Sequence, residues 1–402
     1  MDSAFVNRSG VPNLVRGNKK SSQINGLHAA GRGARDWTGV SFHLRVWSNF
    51  ERNSHGDILL VVRAAKTADL DTVYALAQSA GPGMTTLKAD RKALAARLAV
   101  AEASFRQTIA VPERDYVFVL EDTGDGTVAG IAAIKGAVGM DEPFYNYRIG
   151  ALVHSAPSVG VYGRHEVLYM THDLTGCAEL CSLFLHPDYR QGGNGKLLSK
   201  SRFMFIAQFP HLFTQTVFAE MRGFQDPDGS SPFWESLGRK FFNMDFQRAD
   251  DLCQPGGKSY IAELMPRYPI YTGFLSNAAR AAIGATHVET IPARRLLERE
   301  GMGASTYIDI FDGGPVLHAN VRDLRAVRDS VTVIAQGAGD GEGALASSGT
   351  AGLSLLCNDA LADFRVIAAP IDPWLGRVGL GDRQRRALQC TDGCTIRVLG
   401  MA

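Results

Sequence analysis

The segment 179–209 holds the most chemically suggestive spacing in the chain. An apolar run, 179–185, passes through His186-Pro187-Asp188-Tyr189 into Arg190-Gln191-Gly192-Gly193-Asn194-Gly195-Lys196 and then into a long helical pattern reaching about Phe209. Consecutive glycines let backbone amides approach a phosphate, and a helix start adds unpaired N–H groups and the positive end of its dipole. Together they read as a pyrophosphate cradle, whose plainer alternative is a tight turn before a helix. The spacing does not suit a dinucleotide fingerprint, which belongs in a first strand–helix turn. A Walker loop is excluded, because Leu197 follows Gly195-Lys196 where that loop needs Ser or Thr.

The elements that must position this turn follow from periodicity. A buried strand begins at Ile58, and a helix is predicted over 67–80, ended by Gly81-Pro82-Gly83. A second helix is expected at 90–106. Strands at 116–121 and 127–134 are joined by Thr123-Gly124-Asp125-Gly126, a hairpin signature. An aromatic segment at 144–153 and strands at 166–170 and 179–185 precede the glycine turn. Beyond it lie a strand at 215–221 and one helix at 231–243 with Phe233, Trp234, Leu237 and Phe241 on a single face. Further helices are expected at 276–284 and 292–300, and a strand at 306–311 stops at Asp312-Gly313-Gly314-Pro315. From residue 330 the best strands are 331–334, 364–368 and 395–399, with a glycine-rich loop over 337–350. The organisation is therefore an extension at 1–57, a main region at 58–329 and a small β-rich unit at 330–402.

Composition narrows the partners. With 42 Lys and Arg against 41 Asp and Glu in 402 residues, the net charge of +1 gives no field for gathering nucleic acid. No apolar run approaches the ~20 residues of a membrane span. Residues 1–57 carry eight Lys/Arg against four Asp/Glu and no periodic apolar pattern, so they read as a disordered extension. Six cysteines without a Cys-x-x-Cys pair fit a reducing cytoplasm rather than a disulfide scaffold. The pairs Cys177/Cys181 and Cys390/Cys394 lack zinc-ligand spacing, and no metal site is expected.

Strand, Arg-x-x-Gly-x-Gly and helix together resemble the acyl-CoA-binding motif of the GNAT superfamily, with Arg190, Gly193 and Gly195 at the matching positions. More specifically, residues 58–330 resemble the arginine N-succinyltransferase family. The resemblance is carried by SAGPGMTTL (79–87), FVLED (118–122), PFYNYR (143–148), ELCSLFL (179–185), GNGKLLSKSRF (193–203), AEMRG (219–223), IAELMP (261–266) and YIDIFDGGP (307–315). The match after residue 330 is looser. It implies an α/β (α+β) fold of GNAT type, a mixed and mostly antiparallel sheet flanked by helices, with a small C-terminal β-rich domain. It also implies transfer of a succinyl group from succinyl-CoA, a co-substrate rather than a cofactor, to the α-amino group of L-arginine, by a homo-oligomer or by a hetero-oligomer with a sister subunit.

The resemblance places the backbone of Leu183, Phe184 and Leu185 against the thioester and pantetheine. The turn from Arg190 through Gln191, Gly192, Gly193, Asn194 and Gly195 to Lys196 would meet the CoA phosphates. It places proton transfer on His287, although Val288 stands where the family commonly has proline. An imidazole titrates near neutral pH, which suits exchange with the amine or the CoA thiolate. A guanidinium substrate calls for carboxylates, and the succinate and arginine carboxylates call for cations. Glu179, Glu220 and Arg222 are the preferred candidates, the last two expected on one face of the strand 215–221, with Asp122, Arg148, Lys200 and Arg202 behind them. Two rival functions are a non-catalytic sister subunit and a related acyltransferase with another acyl donor or amine.

Overall fold

Alternating apolar side chains on both faces make the hairpin formed by residues 115–122 and 128–135 a two-sided core strand pair. The computed structural model describes residues 59–80, 84, 86–252, 259–337, 352–371 and 376–401. The expected extension 1–57, the Gly81-Pro82-Gly83 turn and all of the glycine-rich loop beyond Gly337 lie outside them. The strands are β1 (Leu60–Ala64), β2 (Asp115–Asp122), β3 (Val128–Lys135), β4 (Asn146–Ala156), β5 (Val161–Thr171), β6 (Ala178–Leu185), β7 (Thr216–Glu220), β8 (Ile270–Tyr271), β9 (Gly303–Asp309), β10 (Pro315–Asn320), β11 (Val331–Gly337), β12 (Leu353–Cys357), β13 (Arg365–Pro370), β14 (Arg377–Leu380) and β15 (Thr395–Gly400). They form one sheet in the order β14-β11-β15-β12-β13-β1-β2-β3-β6-β7-β10-β9-β4-β5-β8. Among the described residues, only β11/β14 and β6/β7 are parallel pairs. The expected mixed, mostly antiparallel sheet flanked by helices is therefore present.

The helices are α1 (Leu70–Ala80), α2 (Arg91–Phe105), α3 (Asn194–Gln208), α4 (Pro232–Ser236), α5 (Gly238–Phe242), α6 (Phe246–Leu252), α7 (Ser259–Leu264), α8 (Asn277–Ala282), α9 (Ile291–Arg299), α10 (Arg325–Asp329) and α11 (Asp382–Leu388). α1 and α2 cover Val117, Val119, Ile131 and Ala133 on one face, while α3 covers Tyr116, Phe118, Ala132 and Ile134 on the other. Every residue of α3 from Leu197 to Ala207 is buried. Phe205 packs edge-on against Phe105, Phe118 and Phe364 at 4.9–5.6 Å between centroids, a geometry favoured by the ring quadrupoles. The glycine turn at the start of α3 is thus mounted on a helix buried along most of its length.

Residues after 330 have a core of their own, with Val333, Leu356, Ile367, Leu380, Leu388 and Val398, but not a sheet of their own. β13 pairs with β1 through Val61–Ile367 and Val62–Val366, so the ladder runs unbroken into the main region.

The expected single helix 231–243 is two helices. Leu237 breaks the helix with φ −122° and ψ −75°, and Gly238 lies so close to the Trp234 ring that a Cβ there would sit 2.2 Å from it. The Trp234 indole fills the space a continuous helix would need, and it donates to the Met244 carbonyl. Phe241 consequently points outward and is 40% exposed rather than sharing the face of Phe233. β10 is absent from the sequence reading because the Asp312–Pro315 break masks it. Its proline takes the first position of the strand, where no ladder donor is needed.

That break is a tight corner. The buried Asp312 carboxylate accepts from the amides of Gly223 at 2.6 Å and Gly314 at 2.8 Å. Burial, and then the neighbouring Asp309, hold the Asp312 carboxyl well above the usual carboxylate range. A Cβ on Gly314 would lie 2.1 Å from the Met221 carbonyl oxygen and 2.7 Å from the Gly223 nitrogen. Gly314→Ala is expected to force the corner apart and cost about 1–3 kcal/mol, the usual range for overpacking. A urea-denaturation midpoint equal to wild type would show that the corner yields freely.

Candidate active site

The parallel pair β6/β7 is the opening in the sheet. Its ladder consists of Ala178 opposite Val217 and Glu179 opposite Phe218, and goes no further. Beyond it β6 follows β3, ending with Leu185 opposite Gly130, while β7 follows β10, ending with Glu220 opposite Val316. The two strands therefore diverge toward their C-terminal ends, and the edge of β6 that faces β7 leaves the ladder from Leu180 onward. One wall of the gap carries Leu183, Phe184, Leu185 and the glycine turn. The other carries Glu220, Met221 and Arg222.

β6 also bulges. Cys181 is opposite Ala133 and Phe184 opposite Ile131, so Ser182 and Leu183 share the single partner Ala132. Ser182 takes the left-handed conformation, φ 51°, which is uncommon for a residue with a Cβ. The bulge reverses the strand's parity: Cys181 and Phe184 both face the α1/α2 side, while Leu180 and Leu185 face α3. Three successive apolar residues, Leu183 to Leu185, were the available sequence signal for this change of parity.

At the turn, Gly192 and Gly193 adopt φ 61° and 85°, and Gly193 caps α3. Nothing lies within 4 Å of a Cβ built on Gly193, and the nearest atom to one on Gly195 is Leu185 Cδ2 at 3.9 Å. The amides of Asn194, Lys196 and Leu197 are used within the turn, whereas those of Gly192, Gly193 and Gly195 have no backbone acceptor among the described residues. Arg190 folds back, its Nε donating to the Leu185 carbonyl at 3.0 Å and its guanidinium lying 5.7 Å from the Phe184 ring centroid. Asn194 donates to the Tyr189 carbonyl at 2.9 Å. Both side chains brace the turn, while Gln191 is exposed and Lys196 half-buried.

On the far wall, the strand ends at Glu220, so Arg222 lies past it and the expectation that these two share one strand face is corrected. The corner at Asp312 explains this, since Gly223 turns to meet it. His287 docks there, its amide donating to the Arg222 carbonyl at 2.8 Å, and Gly223 bridges Thr286. Arg222 Nη1 is 3.4 Å from Glu289 Oε2, and His287 Nδ1 is 3.8 Å from the same oxygen. Nδ1 accepts from the Glu289 amide at 3.3 Å, so the neutral ring bears its proton on Nε2. Burial, and then the Arg222 guanidinium, lower the His287 pKa below its ordinary value, with Glu289 opposing them.

Glu220 accepts from Asn146 Nδ2 at 2.7 Å. Glu179 stands opposite Phe218, two positions before Glu220 on β7, so the two carboxylates share the face away from α3. The reserve candidates are otherwise engaged. Lys200 lies in the core at 2.6 Å from Glu300. Arg202 is buried under β6, where burial lowers its pKa to about 10. Arg148 pairs with Asp173 at 3.8 Å, and Asp122 accepts from Gly124 inside the β2–β3 turn. Burial pushes the Cys181 thiol up to about 12, which removes it as a nucleophile. Sequence reasoning missed Asn146, Ser182, Glu289 and Asp312, each of which acts through a partner distant in the chain.

An open parallel strand pair, with a bulge and a glycine turn on one strand and a histidine docked past the end of the other, suits an acyltransferase, which acts on activated acyl groups. The family model described as arginine N-succinyltransferase beta subunit matches residues 60–326. Curated arginine N-succinyltransferases of Escherichia coli (strain 55989 / EAEC) and Shigella flexneri are each 46% identical over 342 residues, 85% of this chain and 97% of theirs. The solved arginine/ornithine succinyltransferase subunit AI from Pseudomonas aeruginosa is 33% identical with a TM-score of 0.77, covering 86% of this chain and all of that one. The chain belongs to the arginine N-succinyltransferase family.

Removing the Arg222 charge should release the His287 pKa upward, since the guanidinium disfavours the imidazolium. NMR titration of His287 in Arg222→Gln is therefore expected to show a higher pKa than wild type, and in Glu289→Gln a lower one. A His287 titration indifferent to both changes would separate the ring from this wall.

Proposed function

We propose that the chain is a cytoplasmic arginine N-succinyltransferase that moves the succinyl group of succinyl-CoA onto the α-amino nitrogen of L-arginine. The observation that carries this reading is the divergence of β6 and β7 after two residue pairs, with the glycine turn on one wall and His287 on the other. In this reading the CoA phosphates rest on the amides of Gly192, Gly193 and Gly195 at the start of α3. The thioester lies along the bulged edge of β6, where backbone N–H groups in the stretch Leu183 to Leu185 donate to the carbonyl oxygen as negative charge develops on it.

The amine attacks the carbonyl carbon, and the displaced electron pair rests on that oxygen. Collapse breaks the C–S bond, the amide is left on arginine, and one proton passes from nitrogen to sulfur. His287 is the carrier. Its Nδ1 bond to the Glu289 amide is long, so changing to the tautomer with Nε2 free forfeits about 1 kcal/mol at most. The Glu289 carboxylate, 3.8 Å from Nδ1, supports the imidazolium formed when Nε2 takes the amine proton. Glu179 and Glu220 supply negative charge on the acceptor side for the guanidinium, and Arg222 supplies positive charge for a carboxylate. The reading includes assembly as an oligomer: the outer parts of β4 and β5 leave Val153, Val161 and Tyr162 more than half exposed.

A thiol-release assay with a panel of donors and amino acids tests the function. Succinyl-CoA and L-arginine are expected to give the highest kcat/KM, because a cation built to pair the succinyl carboxylate is left unpaired by acetyl-CoA. Equal specificity constants for the two donors would reject succinyl specificity. His287→Gln should lower kcat by about 10² to 10⁴, the usual contribution of a positioned acid–base group, with the donor dissociation constant retained.

Gly195→Ala separates cradle from turn. Its backbone is not left-handed and a Cβ meets no protein atom closer than 3.9 Å, so alanine in this first helical turn should leave the melting temperature equal or higher. CoA affinity measured by calorimetry should nevertheless fall, since the methyl group occupies the space of an approaching phosphate. Undiminished affinity would reduce the segment to a structural turn.

A further inference from the structure

We propose that Ser182 and Arg97 form a clamp that holds the β6 bulge in the shape needed to polarise the thioester, which makes both of them positioning residues for acyl transfer. The inference rests on the reading above, in which the edge of β6 receives the acyl carbonyl. Four elements meet at this point. Ser182 Oγ accepts from Arg97 Nη1 at 2.9 Å and donates to the Thr86 carbonyl at 3.1 Å. The same Nη1 also donates to the Thr86 carbonyl at 2.5 Å. Arg97 Nε and Nη2 reach the two oxygens of Asp115 at 2.8 and 3.3 Å. The Asp115 amide in turn takes Ser104 Oγ as acceptor at 2.9 Å, which fixes the start of β2 to the end of α2.

The arrangement is more specific than packing requires. A left-handed residue in a strand is ordinarily Gly or Asn, and a serine at φ 51° persists only where its surroundings over-determine it. Here the hydroxyl is held from both sides and Ser182 is 3% exposed. The forked salt bridge that holds it is also interior, with Arg97 and Asp115 side chains 19% and 7% exposed. Burial works against the Arg97 charge, Asp115 and then Cys181 favour it, and the balance keeps the guanidinium cationic. Arg97 Nη2 also lies 3.9 Å from Cys181 Sγ. That contact does not activate the sulfur, whose thiol is pushed up to about 12. Beyond its ion pair with Asp115, the guanidinium ties Ser182 Oγ to the Thr86 carbonyl, which holds the peptide between Ser182 and Leu183. The orientation of the Leu183 amide follows directly from that peptide. Small displacements of groups that meet a reacting atom cost rate out of proportion to stability.

The test is infrared spectroscopy of the thioester carbonyl in succinyl-CoA labelled with carbon-13 at that carbon, bound to the full-length protein without arginine, with kcat and the CoA dissociation constant measured in parallel. Wild type should shift the stretch to lower frequency than free succinyl-CoA. Ser182→Gly relieves the backbone strain but removes the hydroxyl; it should fold, bind CoA within about twofold of wild type, and return the stretch toward the free value with kcat lowered about 10- to 100-fold. Ser182→Asn, which also tolerates positive φ, is the second variant should the first fold poorly. Arg97→Lys keeps the charge but cannot reach Asp115, Ser182 and Thr86 together, and should behave like Ser182→Gly. Retention of the wild-type shift and kcat in a folded Ser182 variant would overturn the clamp. A wild-type complex with no shifted carbonyl would instead remove the thioester from β6, and the reading on which the clamp depends would fail first.

Discussion

Everything at the site depends on two parallel strands parting after two residue pairs. A parallel ladder normally runs the length of the shorter strand, because each lost pair leaves backbone polar groups to be satisfied elsewhere. Here each strand is held along its outer edge instead. β6 follows β3 as far as Leu185, and β7 follows β10 as far as Glu220. Gly130 makes the first of these possible: a Cβ there would lie 2.8 Å from Leu198 and 3.0 Å from the Phe184 carbonyl, so any other residue would push the end of β6 back toward β7. Beyond the first two pairs the inner edges lie outside the ladder, which in an ordinary sheet would be a defect.

α3 and the Asp312 corner keep the two walls at their distance. α3 carries the glycine turn and brings Lys200 and Arg202 into the core with it. Lys200 meets Glu300, which also receives Arg325 at 3.4 Å. Among the described residues Arg202 donates to neutral groups, the Ser199 carbonyl and hydroxyl and the Cys181 carbonyl. Such burial is costly for charge and contributes little net stability. It does restrict α3 to one rotation and one depth, because any other would strand a cation. On the opposite wall, the Asp312 carboxylate does the same for the chain at Gly223, and through the Arg222 carbonyl it sets the place of His287. Charge at the site then follows from geometry: burial and Arg222 lower the His287 pKa, and Glu289 opposes them.

Much of this could be read from local pattern. The hairpin of β2 and β3, the strand that became β6, the glycine turn and the long helix after it all appear where periodicity and turn chemistry put them, because each is decided by residues within a few positions of one another. The cradle's glycines are legible for the same reason. The helix expected at 231–243 failed for a tertiary reason, since the Trp234 ring occupies the course a continuous helix would take. Arg222 likewise left the strand face assigned to it because Asp312, ninety residues on, draws Gly223 out of line.

By itself, then, the sequence determined the order of elements, the apolar faces, the glycine turn and, through resemblance, the family and the histidine worth testing. Only the tertiary structure decided that β6 bulges at Ser182, that Arg97 and Asp115 grip the bulge from α2 and β2, that Arg190 braces the turn, and that Lys200 and Arg202 belong to the core. The division has a physical cause. Propensity and periodicity act over one or two turns of chain, whereas a bulge, a corner or a buried ion pair is decided by which distant backbone comes within about 3 Å, and that distance exists only once the sheet has closed around α3.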